Sequence, residues 1–295
     1  MRGKIVLAGL ILSLSGVAAS AQTQASAPIE QDLYCTGTIT NESVPRDSYV
    51  ITGEGSNYKM TFQEGDFVYL NKGAGQGVKV GDEFSVVRPV ADPTEIEWSK
   101  WQFALIRKLG TWWEDQGRVR VVVAQPDTSV AQVEHSCNWV QRGDIILPFK
   151  ERPAPPLKAE SNFDRFAPSS GKATAMVLVG KAFQEELGTD DVFFVNLGSA
   201  QGVKVGDYFR IFRYTGTEHE TAYQTSRFAF NSDKEATIYG RVYGFGSVPA
   251  KYKWDNTPRE VLGEGIVLRT GPNSSTVLTT FSLREFWIGD YVELE

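Results

Sequence analysis

Histidine and cysteine are almost missing, with two of each in 295 residues. A catalytic triad would have to draw on His135 or His219, and no Gly-x-Ser-x-Gly turn is present to carry a nucleophile. A metal centre built on His135 and Cys137 needs two more ligands, and His219 lies in a different segment. Phosphate-loop chemistry is missing as well. The stretch Gly73-Ala74-Gly75-Gln76-Gly77 is glycine-rich, but its duplicate at residues 198–202 lacks the middle glycine, and neither is followed by a helical pattern. Thirty-six acidic residues make coincidental carboxylate pairs uninformative about glycoside cleavage. Basic charge is also short: 30 Lys and Arg give a net charge of −6, against a partner held through phosphates. The expectation is a non-enzymatic chain with no cofactor, no metal and no nucleic-acid partner.

Long apolar runs are confined to the start of the chain. Arg2 and Lys4 precede an apolar stretch at 5–17, and Ala19-Ser20-Ala21 fits a small-x-small cleavage site, so residues 1–21 read as a signal peptide cut before Gln22. Its removal leaves 28 basic against 36 acidic residues, a net of −8. The apolar run is too short and too interrupted for a span of about 20 residues, and no later stretch is long enough. The final residues end in Glu295 rather than the aromatic that closes outer-membrane barrels. An exported chain, in the periplasm or cell envelope and not membrane-spanning after cleavage, is expected. In that compartment Cys35 and Cys137 are most simply one disulfide, with two unpaired apolar thiols as the other reading. The bridge would join the first strand of a domain to a strand near its end, closing a loop of about 100 residues.

What the sequence does contain is a duplication. Residues 66–88 recur without a gap at 191–213, with about half the positions identical, and residues 117–147 align more weakly with 263–293. Pro126-Asp127-Thr128-Ser129 matches Pro272-Asn273-Ser274-Ser275, and Gly143-Asp144 matches Gly289-Asp290. This divides the chain into a first domain at 22–149, a proline-rich semi-rigid connector at 150–172, and a second domain at 173–295 with a longer insertion at about 214–262. Period-two patterns predict strands at 33–39, 58–62, 67–71, 83–88, 119–124, 131–134 and 144–147, with counterparts in the second copy. Helix is expected only at 94–109, where Trp98, Trp101, Leu105 and Leu109 share a face. The predicted fold class is all-β: two tandem homologous small antiparallel barrels with minor helix between the repeated blocks.

Four Gly-Asp pairs, Gly81-Asp82, Gly143-Asp144, Gly206-Asp207 and Gly289-Asp290, each precede an apolar strand. Glycine supplies a positive φ and the aspartate accepts backbone N–H groups left free by the turn, so these eight residues are expected to be scaffolding. Asn71 with Gln76-Gly77-Val78-Lys79-Val80-Gly81-Asp82, and Asn196 with Gln201-Gly202-Val203-Lys204-Val205-Gly206-Asp207, resemble the strand-turn-strand element of small barrels in bacterial envelope proteins. Similar elements occur in the C-terminal SH3-like domain of the flagellar H-ring protein T and in the barrels of the rod-shape scaffold protein C. The resemblance covers about 25 residues per copy and implies an SH3-like barrel in a non-enzymatic envelope scaffold. This chain differs in its two copies, its lack of a coiled-coil arm and its insertion.

Two aromatic clusters are the candidate contact surfaces. Trp98, Trp101, Trp112 and Trp113 crowd the inter-block segment of the first copy, and Tyr243, Tyr252 and Trp254 the longer one of the second. Exposed aromatics on barrel loops anchor protein contacts or stack on sugars, while buried ones plug barrel ends. The expected function is an envelope binding or assembly scaffold; peptidoglycan or polysaccharide binding is the alternative, and a secreted hydrolase the third.

Overall fold

The strand Phe67–Leu70 buries Val68 and Leu70 and turns Tyr69 outward, the alternation of a sheet with one covered face. A computed structural model describes residues 27–90, 100–158, 163–214 and 258–295, with the backbone alone for 100–102. Residues 1–21, expected to be a signal peptide, Trp98, Tyr243, Tyr252, Trp254 and the Trp101 side chain lie outside the described residues. The first half runs α1 (Glu30–Tyr34), β1 (Thr38–Thr40), β2 (Val50–Gly53), β3 (Thr61–Phe62), β4 (Phe67–Leu70), β5 (Glu83–Pro89), α2 (Lys100–Leu109), β6 (Thr111–Ala124), β7 (Ser129–Ser136), β8 (Val140–Gln141) and β9 (Ile145–Pro148). The second runs β10 (Thr174–Gly180), β11 (Glu186–Leu187), β12 (Val192–Val195), β13 (Tyr208–Arg213), β14 (Glu260–Thr270), β15 (Ser275–Ser282), β16 (Phe286–Trp287) and β17 (Tyr291–Leu294).

The second half closes into a six-stranded antiparallel barrel in the order β10-β12-β15-β14-β13-β17. The first half forms a seven-stranded sheet in the corresponding order β2-β4-β7-β6-β5-β9, with β1 added to β6. Its outer strands β2 and β9 meet at one bridge, Tyr49 with Ile145, and through backbone bonds from Val50 to Asp144 (2.9 Å) and Ile146 to Ser48 (2.9 Å). A short two-stranded antiparallel pair accompanies each, β3 with β8 and β11 with β16, and adds Phe62 and Val140 to the first interior and Leu187 and Phe286 to the second. Each half fills its own interior. Val68, Leu70, Phe84, Val86, Val119 and Val133 pack in the first, and Phe193, Val195, Phe209, Ile211, Val277 and Val292 in the second.

Several sequence expectations change. The strand predicted at 33–39 shrinks to Thr38–Thr40 because Asp32 accepts the Ile29 N–H (2.9 Å) to start α1, and Gly37 then turns with φ +72°. At 58–62 only Thr61–Phe62 pairs, since residues 55–59 turn back on Gly55. The predicted helix begins, among described residues, at Lys100, and its buried side chains are Phe103 and Ile106; Leu105 and Leu109 are only half-buried. Packing against Leu178, Val179 and Phe194 of the second half selects that face. The described parts of the connector, 150–158 and 163–172, are hydrogen-bonded to both halves: the Arg152 N–H donates to the Tyr34 hydroxyl (2.9 Å), the Lys158 N–H to the Tyr208 hydroxyl (2.9 Å), and the Ser170 N–H to Glu293 (2.9 Å).

Candidate functional site

The four Gly-Asp turns are built alike. Gly81, Gly143, Gly206 and Gly289 hold φ of +93°, +84°, +92° and +92°, a region that strains any residue with a Cβ. The following carboxylates accept the N–H three residues back: Asp82 from Lys79 (2.8 Å), Asp144 from Gln141 (2.8 Å), Asp207 from Lys204 (2.8 Å) and Asp290 from Trp287 (2.7 Å). Asp144 and Asp290 are also buried and take both arms of a guanidinium, Arg88 at 2.7 and 2.8 Å and Arg213 at 2.7 and 2.6 Å. A third turn of this design in each half went unrecognised in the sequence. Asp66 accepts the Gln63 N–H (2.7 Å) after Gly65 (φ +90°), and Asp191 accepts the Gly188 N–H (2.8 Å) after Asp190 (φ +68°). Comparing the duplicates hid it, because an aspartate, which tolerates this region better than most residues, replaces the glycine.

Cys35 and Cys137 stand at disulfide-bonding distance with Cα atoms 5.1 Å apart. They do not lie on two strands as predicted: Cys35 ends α1 and Cys137 follows β7. His135 is half-buried, with Nε2 3.3 Å from Cys35 Sγ. His135 on β7 and Cys137 just beyond it thus gather beside Cys35, their Nε2 and Sγ atoms within 4.8 Å of one another. A cavity of about 130 Å³ adjoins the bridge between the halves, lined by Cys35, Trp112, Glu114, Cys137 and Lys181. Burial holds the Lys181 ammonium below the ordinary lysine value, against the pull of Asp32, Asp115 and Glu114.

Trp112 and Trp113, expected as candidate contacts for an outside ligand, are 5% and 4% exposed and lie in the interior. Trp112 stands edge-on to Phe183 and Phe194 at 5.0 and 5.3 Å and joins Ile39, Phe103 and Ile106 against Leu178 and Val179 of the barrel. It is a wedge between the halves. Polar contacts frame this wedge. The Thr276 hydroxyl donates to the Gly37 carbonyl (3.1 Å), the Ser274 hydroxyl donates to the Ile39 carbonyl, and Asp115 accepts the Gly37 N–H (2.9 Å) and Arg269 (2.8 Å). Burial, with Arg269 nearby, lowers the Arg152 guanidinium to about 10.

The covered surface is an outward row across four barrel strands: Leu178 at the β10 bulge, Phe194 on β12, Thr276 on β15 and Arg269 on β14. The first half carries the same row in the same register. Ile51 sits at the β2 bulge, Tyr69 pairs with Val130, and Val130 pairs with Val123. Here nothing among the described residues covers it. Ile51, Tyr69 and Val123 are 40%, 38% and 45% exposed, and Val130 is half-buried. Comparison with models of known protein families returns no match, and no curated protein is significantly similar to the chain.

Proposed function

We propose that this chain is an exported, non-enzymatic scaffold of the bacterial cell envelope, made of two tandem homologous SH3-like barrels that offer their outer faces to protein partners. One observation carries the proposal: the outer face of β10, β12, β15 and β14 already serves as a protein-docking surface, with an aromatic wedge, an ion pair and matched hydroxyl bonds. The equivalent face of the first half is a flat apolar row, the kind of patch that marks a protein contact. The matching strand orders and turns support reading the halves as copies of one barrel. Burial of Trp112 and Trp113 removes two of the tryptophans that favoured sugar binding. Polysaccharide binding keeps one supporting feature, since half-exposed Trp139 and the almost fully exposed Tyr58 flank the β3–β8 pair.

A photo-crosslinking residue at position 69 of the chain in envelope-bearing cells tests this. Adducts to protein in the exported fraction are expected, with none at position 108 on the exposed side of α2. Retention of the chain in the cytosol would overturn the proposal. So would co-sedimentation with peptidoglycan sacculi that Trp139→Ala abolishes, coupled with the absence of protein adducts.

A further inference from the structure

The end of α1 and the end of β7 bring together three side chains that ligate thiophilic metals, although Cys35 and His135 are 100 residues apart in sequence. We infer that Cys35, Cys137 and His135 bind one Zn²⁺ when the bridge is reduced, so that bridge and metal exclude each other. The inference is independent of the scaffold proposal.

In the sequence, His135 and Cys137 are two ligands short of a metal centre; the fold supplies the third by carrying Cys35 to them. The donor atoms already have the spacing of a coordination site. Cys35 Sγ lies 3.3 Å from His135 Nε2, and the two sulfurs and the imidazole nitrogen fall within 4.8 Å of one another. A sulfur at about 2.3 Å and a nitrogen at about 2.0–2.1 Å on a tetrahedral zinc stand roughly 3.6 Å apart. A zinc placed there therefore leaves the imidazole almost where it is, and only the sulfurs have to part. Backbone bonds hold all three residues without help from the bridge. The Cys35 N–H donates to the Gln31 carbonyl (3.0 Å), the Cys137 N–H donates to the Gln116 carbonyl (3.1 Å), and His135 pairs with Arg118 across β6 and β7. The Gly37 N–H, just past Cys35, is fixed on Asp115 (2.9 Å). Reduction thus frees the sulfurs without scattering the ligands. Cys35 is buried and the other two are half-buried, which shields the site from bulk water and leaves it reachable by a small ion.

Reduction by a dithiol or phosphine adds two electrons and two protons and opens the bridge to two thiols. The incoming dication displaces both thiol protons to solvent and takes the lone pair of the neutral imidazole as its third ligand. A Cys₂His set leaves one tetrahedral position open. The cavity of about 130 Å³ that adjoins the bridge has room for a water there, since one water needs only about 10–15 Å³. Two thiolates cancel the charge of the dication, so the occupied site places no net charge beside Lys181 and Glu114 in the cavity wall. Sulfur and imidazole donors select zinc over magnesium and calcium, which take oxygen ligands. The three residues thus offer a covalent link between α1 and the end of β7 under oxidising conditions and a metal link under reducing ones.

Anaerobic titration of the reduced, metal-free chain with Co²⁺, a coloured stand-in for Zn²⁺, is the test. A single equivalent should raise a thiolate-to-cobalt charge-transfer band in the near ultraviolet, Zn²⁺ should displace it, and the oxidised chain should give no band. His135→Ala should weaken binding by more than the roughly tenfold that loss of an outer partner of a ligand costs, and Cys137→Ser should lose much of the band. Zn²⁺ should also raise the urea midpoint of the reduced chain while leaving that of the oxidised chain unchanged. If reduction alone unfolds the first half, Zn²⁺ should restore its far-UV circular dichroism. Absence of the band at excess Co²⁺ overturns the inference, as does equal binding by the oxidised chain, full affinity in His135→Ala, or a reduced chain that stays unfolded in excess Zn²⁺. None of these results touches the position-69 adducts on which the scaffold proposal is tested.

Discussion

Trp112→Ala separates a structural tryptophan from a ligand-binding one. The indole is 5% exposed, and its ring meets Phe183 and Phe194 at 5.0 and 5.3 Å. Truncating a buried tryptophan to alanine costs about 3–5 kcal/mol. The loss should fall mainly on the joint, because Trp112 packs outside both interiors, between Ile39, Phe103 and Ile106 on one side and Leu178 and Phe194 on the other. Wild type should therefore unfold in one concerted step in urea, with both halves coupled. The alanine variant should show an earlier first transition and a barrel transition displaced much less. Trp112→Phe keeps a ring between the two phenylalanines and should lose only a fraction as much. Urea titrations followed by far-UV circular dichroism, with Tyr69→Ala as the surface control, give the comparison. An unchanged midpoint for Trp112→Ala would refute the wedge and return the residue to the list of ligand contacts.

Three further outcomes follow from the described contacts. Reducing the Cys35–Cys137 bridge, which spans a sequence separation of 102, should destabilise the protein by up to about 4.7 kcal/mol on the chain-entropy account, read as a drop in urea midpoint with and without a dithiol. Asp290→Ala removes a fully buried partner of Arg213 and should cost about 3–5 kcal/mol, whereas Asp82→Ala, at an exposed turn bond, should cost about 1 kcal/mol; equal losses would contradict the distinction. Burial alone would raise the Glu293 carboxyl, but Arg259, Ser169 and the Ser170 N–H hold it below the ordinary value of 4.5. The unfolded chain therefore binds the proton first, so this stabilisation is complete above about 4.5 and is lost as pH falls through the depressed folded value. Glu293→Gln should flatten the pH dependence of stability in that acid window, and an unaltered slope would refute the linkage.

The interior was legible from sequence and the joint was not. Period-two alternation placed Phe67–Leu70 and Glu83–Pro89 nearly to the residue, because a strand with one wet face must alternate. The Gly-Asp turns were readable for a similar reason, since positive φ and an N–H acceptor are local demands. Trp112 is open to either reading because a tryptophan next to a turn looks the same whether its partner is solvent or the other half, whereas Trp113 is covered within its own half by Val87 and Ile145. The cue was present on the other side of the contact. Val192–Val195 reads Val-Phe-Phe-Val and is buried at every position, while its duplicate Phe67–Leu70 alternates. A strand that loses its alternation relative to its own copy has gained a second cover, and Tyr69 becoming Phe194 shows the hydroxyl absent where water is excluded.

That contrast also extends to the residues at equivalent positions of the two halves. Equivalent positions in the two interiors exchange one apolar side chain for another, as with Phe84 and Phe209 or Val86 and Ile211, and even where size changes, as with Val68 and Phe193, no polar group enters. Substitutions along the outer row are changes of chemistry: Val123 against Arg269 and Val130 against Thr276. The polar residues occur only where a partner supplies Asp115 and the Gly37 carbonyl, and where Gly271, which has no Cβ to meet the Ile39 carbonyl, lets the two backbones approach. An arginine on the open face would be harmless to folding, since it would be solvated. Its absence there, with valines at both positions, is what an apolar occupant requires and what a permanently wet surface does not. The Val123→Arg and Val130→Thr pair is thus a sharp variant: it copies the covered row onto the open one, should leave the stability read from urea titration within about 0.5 kcal/mol of wild type, and should suppress the protein adducts formed from position 69 if the open face is a docking surface.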